Sequence, residues 1–300
     1  EGEQLVAEQS FGQEQLTSIV DQYKSGNFKE AVQLAGRYYK SAPANAALCK
    51  VRAASLYQLK RPKLALAWYR KSIASGPEDA EVFFNMGIIN MGLGELQTAI
   101  ENYQIAVRVK PDYQYAYVNL GNAYQARGNY DLALKNYQRA LKLGAKKINN
   151  RININSVLNN NIGAVLNLKG DITGALKGFT KALALDPNYA EAHYNKGNSF
   201  FELGNAEKAI ASFREAIRLN PKYTDAYTNL GNTYHSIYHL DSAIDCYERA
   251  LTIKARDTAL HRNLSIVKKY TADDPHISQM GRYVYDQALI DKNCYPLCFA

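Results

Sequence analysis

The chain has 300 residues, 47% of them hydrophobic and 21% charged, with a formal charge of +8. No apolar run approaches the ~20 residues needed to cross a bilayer, and the sparse prolines and dispersed glycines exclude long low-complexity disorder. Four cysteines, Cys49, Cys246, Cys294 and Cys298, lack the spacing of a small secreted domain and point to a reducing, cytoplasmic setting.

The chain begins at Glu1 rather than Met and stops within Pro-Leu-Cys-Phe-Ala, as a piece of a longer protein would. Residues 1–11 are polar apart from Leu5, Val6, the terminal Phe11 and a few small positions, which suits a loose leading helix. From Gly12 a 34-residue frame fits the sequence. Ala31, Ala65, Ala99, Ala133, Ala175, Ala209 and Ala243 occupy its twentieth place, with one longer interval between Ala133 and Ala175. Pro43, Pro77, Pro111, Pro187 and Pro221 occupy the thirty-second place, and Gly87, Gly121, Gly163, Gly197 and Gly231 the eighth. Seven units result: 12–45, 46–79, 80–113, 114–147, 156–189, 190–223 and 224–257, the first two degenerate, with Ile19 and Ala53 at the Gly place.

Within each unit the apolar spacing is helical, small residues mark helix crossings, and Gly and Pro mark the turn and the stop. A unit so short cannot bury a core alone, so it must stack on its neighbours. The pattern over 12–257 resembles the tetratricopeptide repeat, which implies an all-α, right-handed superhelical solenoid of antiparallel helix pairs. Residues 148–155 are an eight-residue insertion expected to lengthen a helix or form a loop. Residues 258–270 read as one further first helix, capping the array with no second helix after it.

Residues 271–300 do not fit the repeat. Asp273-Asp274-Pro275-His276-Ile277 resembles the connector of bacterial repeat proteins that carry a sulfotransferase domain. That resemblance implies a catalytic domain beyond Ala300.

Six asparagines, Asn85, Asn119, Asn161, Asn195, Asn229 and Asn263, hold the sixth place of successive first helices, and Asn122, Asn198 and Asn232 hold the ninth. Asn is a mediocre helix former, so its recurrence needs a cause. An amide carries a donor and an acceptor, which suits it to the backbone of an extended peptide or to bonds between neighbouring helices. Both readings stand. The row resembles the asparagine ladder in the repeats of O-linked N-acetylglucosamine transferases, and implies a peptide groove.

Other constellations are weaker. A dicarboxylate clamp fails because Lys50 is followed by Ala54, Asn85, Tyr115 and Asn119, where Lys, Asn and Arg are required at three of those places. His235 and His239 have no third ligand, and Cys294 with Cys298 is no better. Cys49 and Cys246 read as small apolar residues, and Tyr103, Tyr124, Tyr137, Tyr234 and Tyr247 as packing residues with the hydroxyl at an edge. Gly92-Leu93-Gly94 is an inter-helix turn rather than a dinucleotide loop, since Gln97 stands where a third Gly would be. Basic clusters at Lys60, Arg61 and Lys63, and at Lys142, Lys146, Lys147 and Arg151, read as solvated faces, because no nucleic-acid motif accompanies them.

The sequence therefore describes a non-catalytic scaffold that binds a protein or extended peptide in a concave groove, with no cofactor, no membrane and no nucleic acid. The alternative is the substrate-presenting region of a larger sulfotransferase or glycosyltransferase.

Overall fold

The computed structural model describes residues 12–144, 154–271 and 273–284. These contain sixteen α-helices and no strand. They fall into two compact units, Glu1–Gly144 and Ala145–Ala300. The first holds α1 (Gln13–Lys24), α2 (Phe28–Tyr39), α3 (Ala46–Gln58), α4 (Pro62–Ala74), α5 (Ala80–Gly92), α6 (Leu96–Val109), α7 (Gln114–Ala126) and α8 (Tyr130–Lys142). The second holds α9 (Ile154–Leu168), α10 (Ile172–Leu185), α11 (Ala190–Glu202), α12 (Ala206–Leu219), α13 (Thr224–Ser236), α14 (Leu240–Ile253), α15 (Thr258–Val267) and α16 (Pro275–Val284).

Each odd-numbered helix up to α13 packs on the next as an antiparallel pair, and within each unit successive pairs stack into a solenoid. Helix starts are fixed by short polar caps. Asn45 Oδ1 accepts from Leu48 N at 2.8 Å, Asp171 Oδ1 from Gly174 N at 2.8 Å, and Asn205 Oδ1 from Lys208 N at 3.1 Å. All seven alanines at the twentieth place are fully buried.

The glycines of the eighth place have one common cause. A Cβ on Gly197 would lie 2.6 Å from Phe213 Cε1, on Gly163 2.7 Å from Phe179 Cε1, and on Gly231 2.6 Å from Tyr247 Cε1. Gly87 and Gly121 meet Tyr103 and Tyr137 in the same way. The ring at the twenty-fourth place thus lies flat on the backbone of the partner helix, and only a hydrogen leaves room for it. The first pair reverses the arrangement: Ile19 takes the Gly place and Ala35 the ring place, both fully buried in one cluster. Volume is conserved across the crossing although the residues are exchanged. Gly197→Leu is expected to destabilise the second unit by about 1–3 kcal/mol, and an unchanged urea midpoint would contradict that packing.

The turn between paired helices needs a left-handed residue at the fifteenth place. Gly26, Gly94, Gly128, Gly170 and Gly204 supply it with φ of 70–82°. Lys60 (φ 59°) and Tyr238 (φ 61°) adopt the same conformation with a Cβ. Tyr238 is 87% exposed and gains no packing there. Tyr238→Gly is expected to stabilise the second unit by about 1 kcal/mol. A melting temperature that does not rise would count against it.

Two expectations meet corrections or limits. A helix, α16, stands after the capping helix, close to where an eighth pair would place its second helix, so the expectation that none follows is wrong. Of the insertion, residues 154–155 are the first of α9, and the remainder lies outside the described residues, as do residues 1–11, Lys146, Lys147, Arg151, Cys294 and Cys298.

Candidate functional site

In each unit, first helices touch the first helices of the next pair: α3 meets α5, α5 meets α7, α9 meets α11 and α11 meets α13. Second helices stay farther apart. Each stack therefore bends toward its first helices, which is where the asparagines of the sixth and ninth places sit. All nine are half-buried.

In the second unit the amides are tied across helices. Asn195 Nδ2 on α11 donates to Asn160 Oδ1 on α9 at 3.0 Å, and Asn160 Nδ2 donates to Glu191 Oε1 at 3.3 Å. Asn229 Nδ2 on α13 donates to Asn198 Oδ1 on α11 at 2.8 Å and to the Tyr194 hydroxyl at 3.1 Å. Asn232 Oδ1 accepts from the Tyr247 hydroxyl at 2.8 Å. Asn161 is hydrogen-bonded or otherwise engaged as well.

The first unit uses the same places differently. Asn122 Oδ1 accepts from the Tyr137 hydroxyl at 2.7 Å, Asn119 Nδ2 donates to its own helix at Tyr115 O at 3.2 Å, and Asn85 hydrogen-bonds the Tyr69 hydroxyl.

The choice of partner follows from the twenty-fourth place. Where that residue is Tyr and the ninth place is Asn, as at Tyr137 and Tyr247, its hydroxyl occupies the ninth-place carbonyl in its own pair. Where it is Phe213 there is no hydroxyl, and Asn198 turns to Asn229 instead. The helix-bridging role is thus realised at Asn195, Asn198 and Asn229.

The amides are only half used, however. Among the described residues Asn195 and Asn229 engage Nδ2 and keep Oδ1 without a protein partner, while Asn198 and Asn232 engage Oδ1 and keep Nδ2. None of these remaining atoms is fully buried. The bent side of the second unit thus offers acceptors at sixth places and donors at ninth places, about one helical turn apart. Asn263 on α15 continues the sixth-place row.

The bridging partners Asn160 and Tyr194 are absent from the predicted set. Asn160 is 1% exposed at a place where no other unit has Asn, so no periodic signal marks it.

The remaining candidates resolve simply. Lys50 gives its ammonium to Asp79 at 2.7 Å and Glu81 at 2.6 Å, which removes it from any clamp. His235 and His239 are exposed, and no cluster of three metal-ligating side chains occurs among the described residues. A depression of about 350 Å³ is lined by Arg214, Tyr234, Asp245 and Cys246, but burial pushes the Cys246 thiol up to about 12, so it is no nucleophile at neutral pH. Among the described residues no helix is long and apolar enough to cross a membrane.

Comparison with known proteins agrees with this architecture. The family described as TPR repeat matches residues 91–128, 163–204 and 197–237. Families described as Tetratricopeptide repeat match residues 115–144, 17–80 and 224–257. No curated protein matches the chain.

Among solved structures, the C-terminal part of a TPR repeat-containing protein from Cytophaga hutchinsonii is 17% identical, with a TM-score of 0.64 over 83% of this chain and 99% of that one. A tetratricopeptide repeat protein from Parabacteroides merdae is 16% identical, with a TM-score of 0.64 over 85% and 97%. The APC/C hetero-tetramer Cut9-Hcn1 aligns at 18% identity and a TM-score of 0.60 over 90% and 51%. At these identities the likeness is one of fold.

Proposed function

Because the chain belongs to the tetratricopeptide-repeat family, we propose that it is a non-catalytic scaffold whose second unit holds an extended peptide segment of a partner protein along its first helices. The observation that carries this is the alternation of spare atoms: Oδ1 at Asn195 and Asn229, Nδ2 at Asn198 and Asn232. An extended backbone presents N–H and C=O groups alternately, and this row offers each its complement. Such recognition reads main chain and tolerates many side chains. The bonds already made between helices hold each amide in place before a ligand arrives, which lowers the ordering cost of binding. The resemblance to the ladder of O-linked N-acetylglucosamine transferases supports the same reading. Asn161 and Asn263 belong to the same proposed row, and Asn85, Asn119 and Asn122 hold the equivalent places of the first unit.

The substrate-presenting alternative has no comparable support, because the residues that resemble a sulfotransferase connector serve the fold locally. Asp274 Oδ1 accepts from His276 N at 2.9 Å at the start of α16, Pro275 opens that helix, and His276 is buried.

The test is selection of a random extended-peptide library on the full chain, followed by titration of the strongest binder. Changing Asn161, Asn195 and Asn229 together to Ala is expected to cost about 3 kcal/mol of binding, since each neutral bond contributes ~0.5–1.5 kcal/mol. N-methylation along the selected peptide should weaken binding at alternate positions, while side-chain changes matter less. Unchanged affinity in the triple variant, alongside a lowered melting temperature, would assign the asparagines to the fold alone.

A further inference from the structure

The positive charge of the chain is not spread evenly. Between Glu30 and Glu78 there are nine Lys or Arg and no Asp or Glu, so the remainder of the chain is close to neutral. This stretch forms most of α2 and all of α3 and α4. Among the described residues, Lys50 alone of the nine reaches a carboxylate, and both that it reaches, on Asp79 and Glu81, come from outside the stretch. A solvated helical face would normally intersperse both signs.

At the centre lies Trp68 on α4, the only tryptophan of the chain. The Arg52 guanidinium from α3 sits 4.0 Å from the centroid of its ring, and the Lys71 ammonium 4.3 Å. Lys71 is also 4.7 Å from the Tyr39 ring, which meets Trp68 edge-on at 4.6 Å. Gly36 on α2 leaves the room that Arg52 fills, since a Cβ there would lie 3.0 Å from Arg52 Nη2. Arg52 is half-buried and its Nε is buried with no hydrogen-bond partner. Burial lowers its pKa, and no carboxylate contributes to the balance. Two cations have thus been drawn against one indole, one of them partly desolvated, with no counter-charge supplied by their own repeat. The indole faces offset part of that cost, and an oxyanion would offset the rest.

We propose that Arg52 and Lys71, fixed by Trp68 and Tyr39, form an oxyanion-binding site that takes the carboxylates of an Asp/Glu-rich segment of a partner protein. A guanidinium and an ammonium around one ring suit carboxylates at neighbouring positions of such a segment. Nucleic acid is the poorer fit, because single-stranded binders need an open aromatic face for a base and Trp68 is covered by Arg52, Lys71 and Tyr39. The site is independent of the amide row. Arg52 is at the seventh place of its helix, about 100° round from the sixth, and all four residues belong to the first unit.

Trp68 reports the site directly. The full chain is titrated with a ten-residue poly-Glu peptide, a poly-Gln peptide of equal length and a ten-nucleotide oligo-dT, following Trp68 emission at low and physiological salt. Poly-Glu is expected to shift the emission saturably, with an affinity that falls steeply as salt rises, and poly-Gln to leave it unchanged. Arg52→Gln and Lys71→Glu should each weaken poly-Glu binding about tenfold or more. Lys71 is exposed, so Lys71→Glu keeps the test valid if Arg52→Gln fails to fold, with helix content checked by circular dichroism. Poly-Gln binding as tightly as poly-Glu, or Lys71→Glu binding like wild type, would overturn the proposal. Tighter binding of oligo-dT would overturn it in favour of nucleic acid.

Discussion

Lowering the pH from 7 to about 4.5 should loosen α16 from α15 while leaving the other helix pairs closed. The contact rests on a chain of bonds whose proton positions are fixed by its ends. His261 Nε2 lies 2.8 Å from Ala255 O, a carbonyl that can only accept, so His261 carries its proton on Nε2 and its Nδ1 accepts. His276 Nε2, 2.6 Å from that Nδ1, must therefore donate. His276 Nδ1 is left to accept from the Tyr270 hydroxyl at 2.7 Å.

In this arrangement His276 holds its ring proton on Nε2 and leaves Nδ1 free to accept. A proton on His261 Nδ1 would face the Nε2 proton of His276, and a proton on His276 Nδ1 would reverse Tyr270. His261 is 0% exposed and His276 5%. Burial is the main cause that lowers His276 from 6.5 to about 4, with His261 and Lys268 adding to it and Asp274 and Glu248 opposing.

A histidine depressed in the docked state binds its proton only when α16 lets go. Docking is therefore at full strength above about pH 6.5, weakens as pH falls, and has lost the whole contribution near pH 4. The shift corresponds to at most about 3 kcal/mol, and to about 1–2 kcal/mol once local relaxation is allowed. Asp274 is held low by the His276 backbone N–H and by Lys268, so it stays ionised through most of this window. Hydrogen exchange over residues 258–284 at pH 7 and pH 4.5 measures the effect, and His276→Phe should abolish the difference. Equal protection at both pH values in the wild type would refute the mechanism.

The helix pairs were legible because their cause is periodic. Ala at the twentieth place, Gly at the eighth and Pro at the thirty-second recur wherever two backbones cross or a helix stops. What was not legible depends on pairs of residues far apart in sequence. Ile19 looks like a degenerate Gly until Ala35 is seen to give up the volume that Ile19 takes. The asparagines are visible as a row, but whether each bonds a neighbour turns on Tyr or Phe fifteen residues later, as Asn232 with Tyr247 and Asn198 beside Phe213 show. Helix α16 escapes the repeat pattern because its anchor is His276 against His261, a histidine–histidine contact that no repeat place marks. Lys60 and Tyr238 give no signal because a left-handed turn is expected to announce itself by Gly.

The largest packing effect is expected at Gly178, which the repeat pattern does not mark. It stands at the twenty-third place, on α10, and a Cβ there would lie 2.9 Å from Gly163 Cα, 3.0 Å from Gly163 N and 3.0 Å from Asn159 O. All three are backbone atoms of α9. At Gly197 the obstacle is a ring, which can tilt; at Gly178 relief requires the two helices to separate. Two glycines thus face each other, and α9 and α10 approach backbone to backbone.

Helix propensity argues the other way, since Ala is favoured over Gly by about 1 kcal/mol inside a helix. The contact should win: Gly178→Ala is expected to destabilise the second unit despite that gain, and Gly178→Leu to cost about 3 kcal/mol. Gly92 supplies the control. It is helical, a Cβ added to it would meet no atom within 4 Å, and Gly92→Ala should stabilise the first unit by about 0.4–1 kcal/mol. Urea unfolding of the three variants separates the signs. If Gly178→Ala raises stability as Gly92→Ala does, propensity outweighs the crossing and α9 and α10 are not held backbone to backbone.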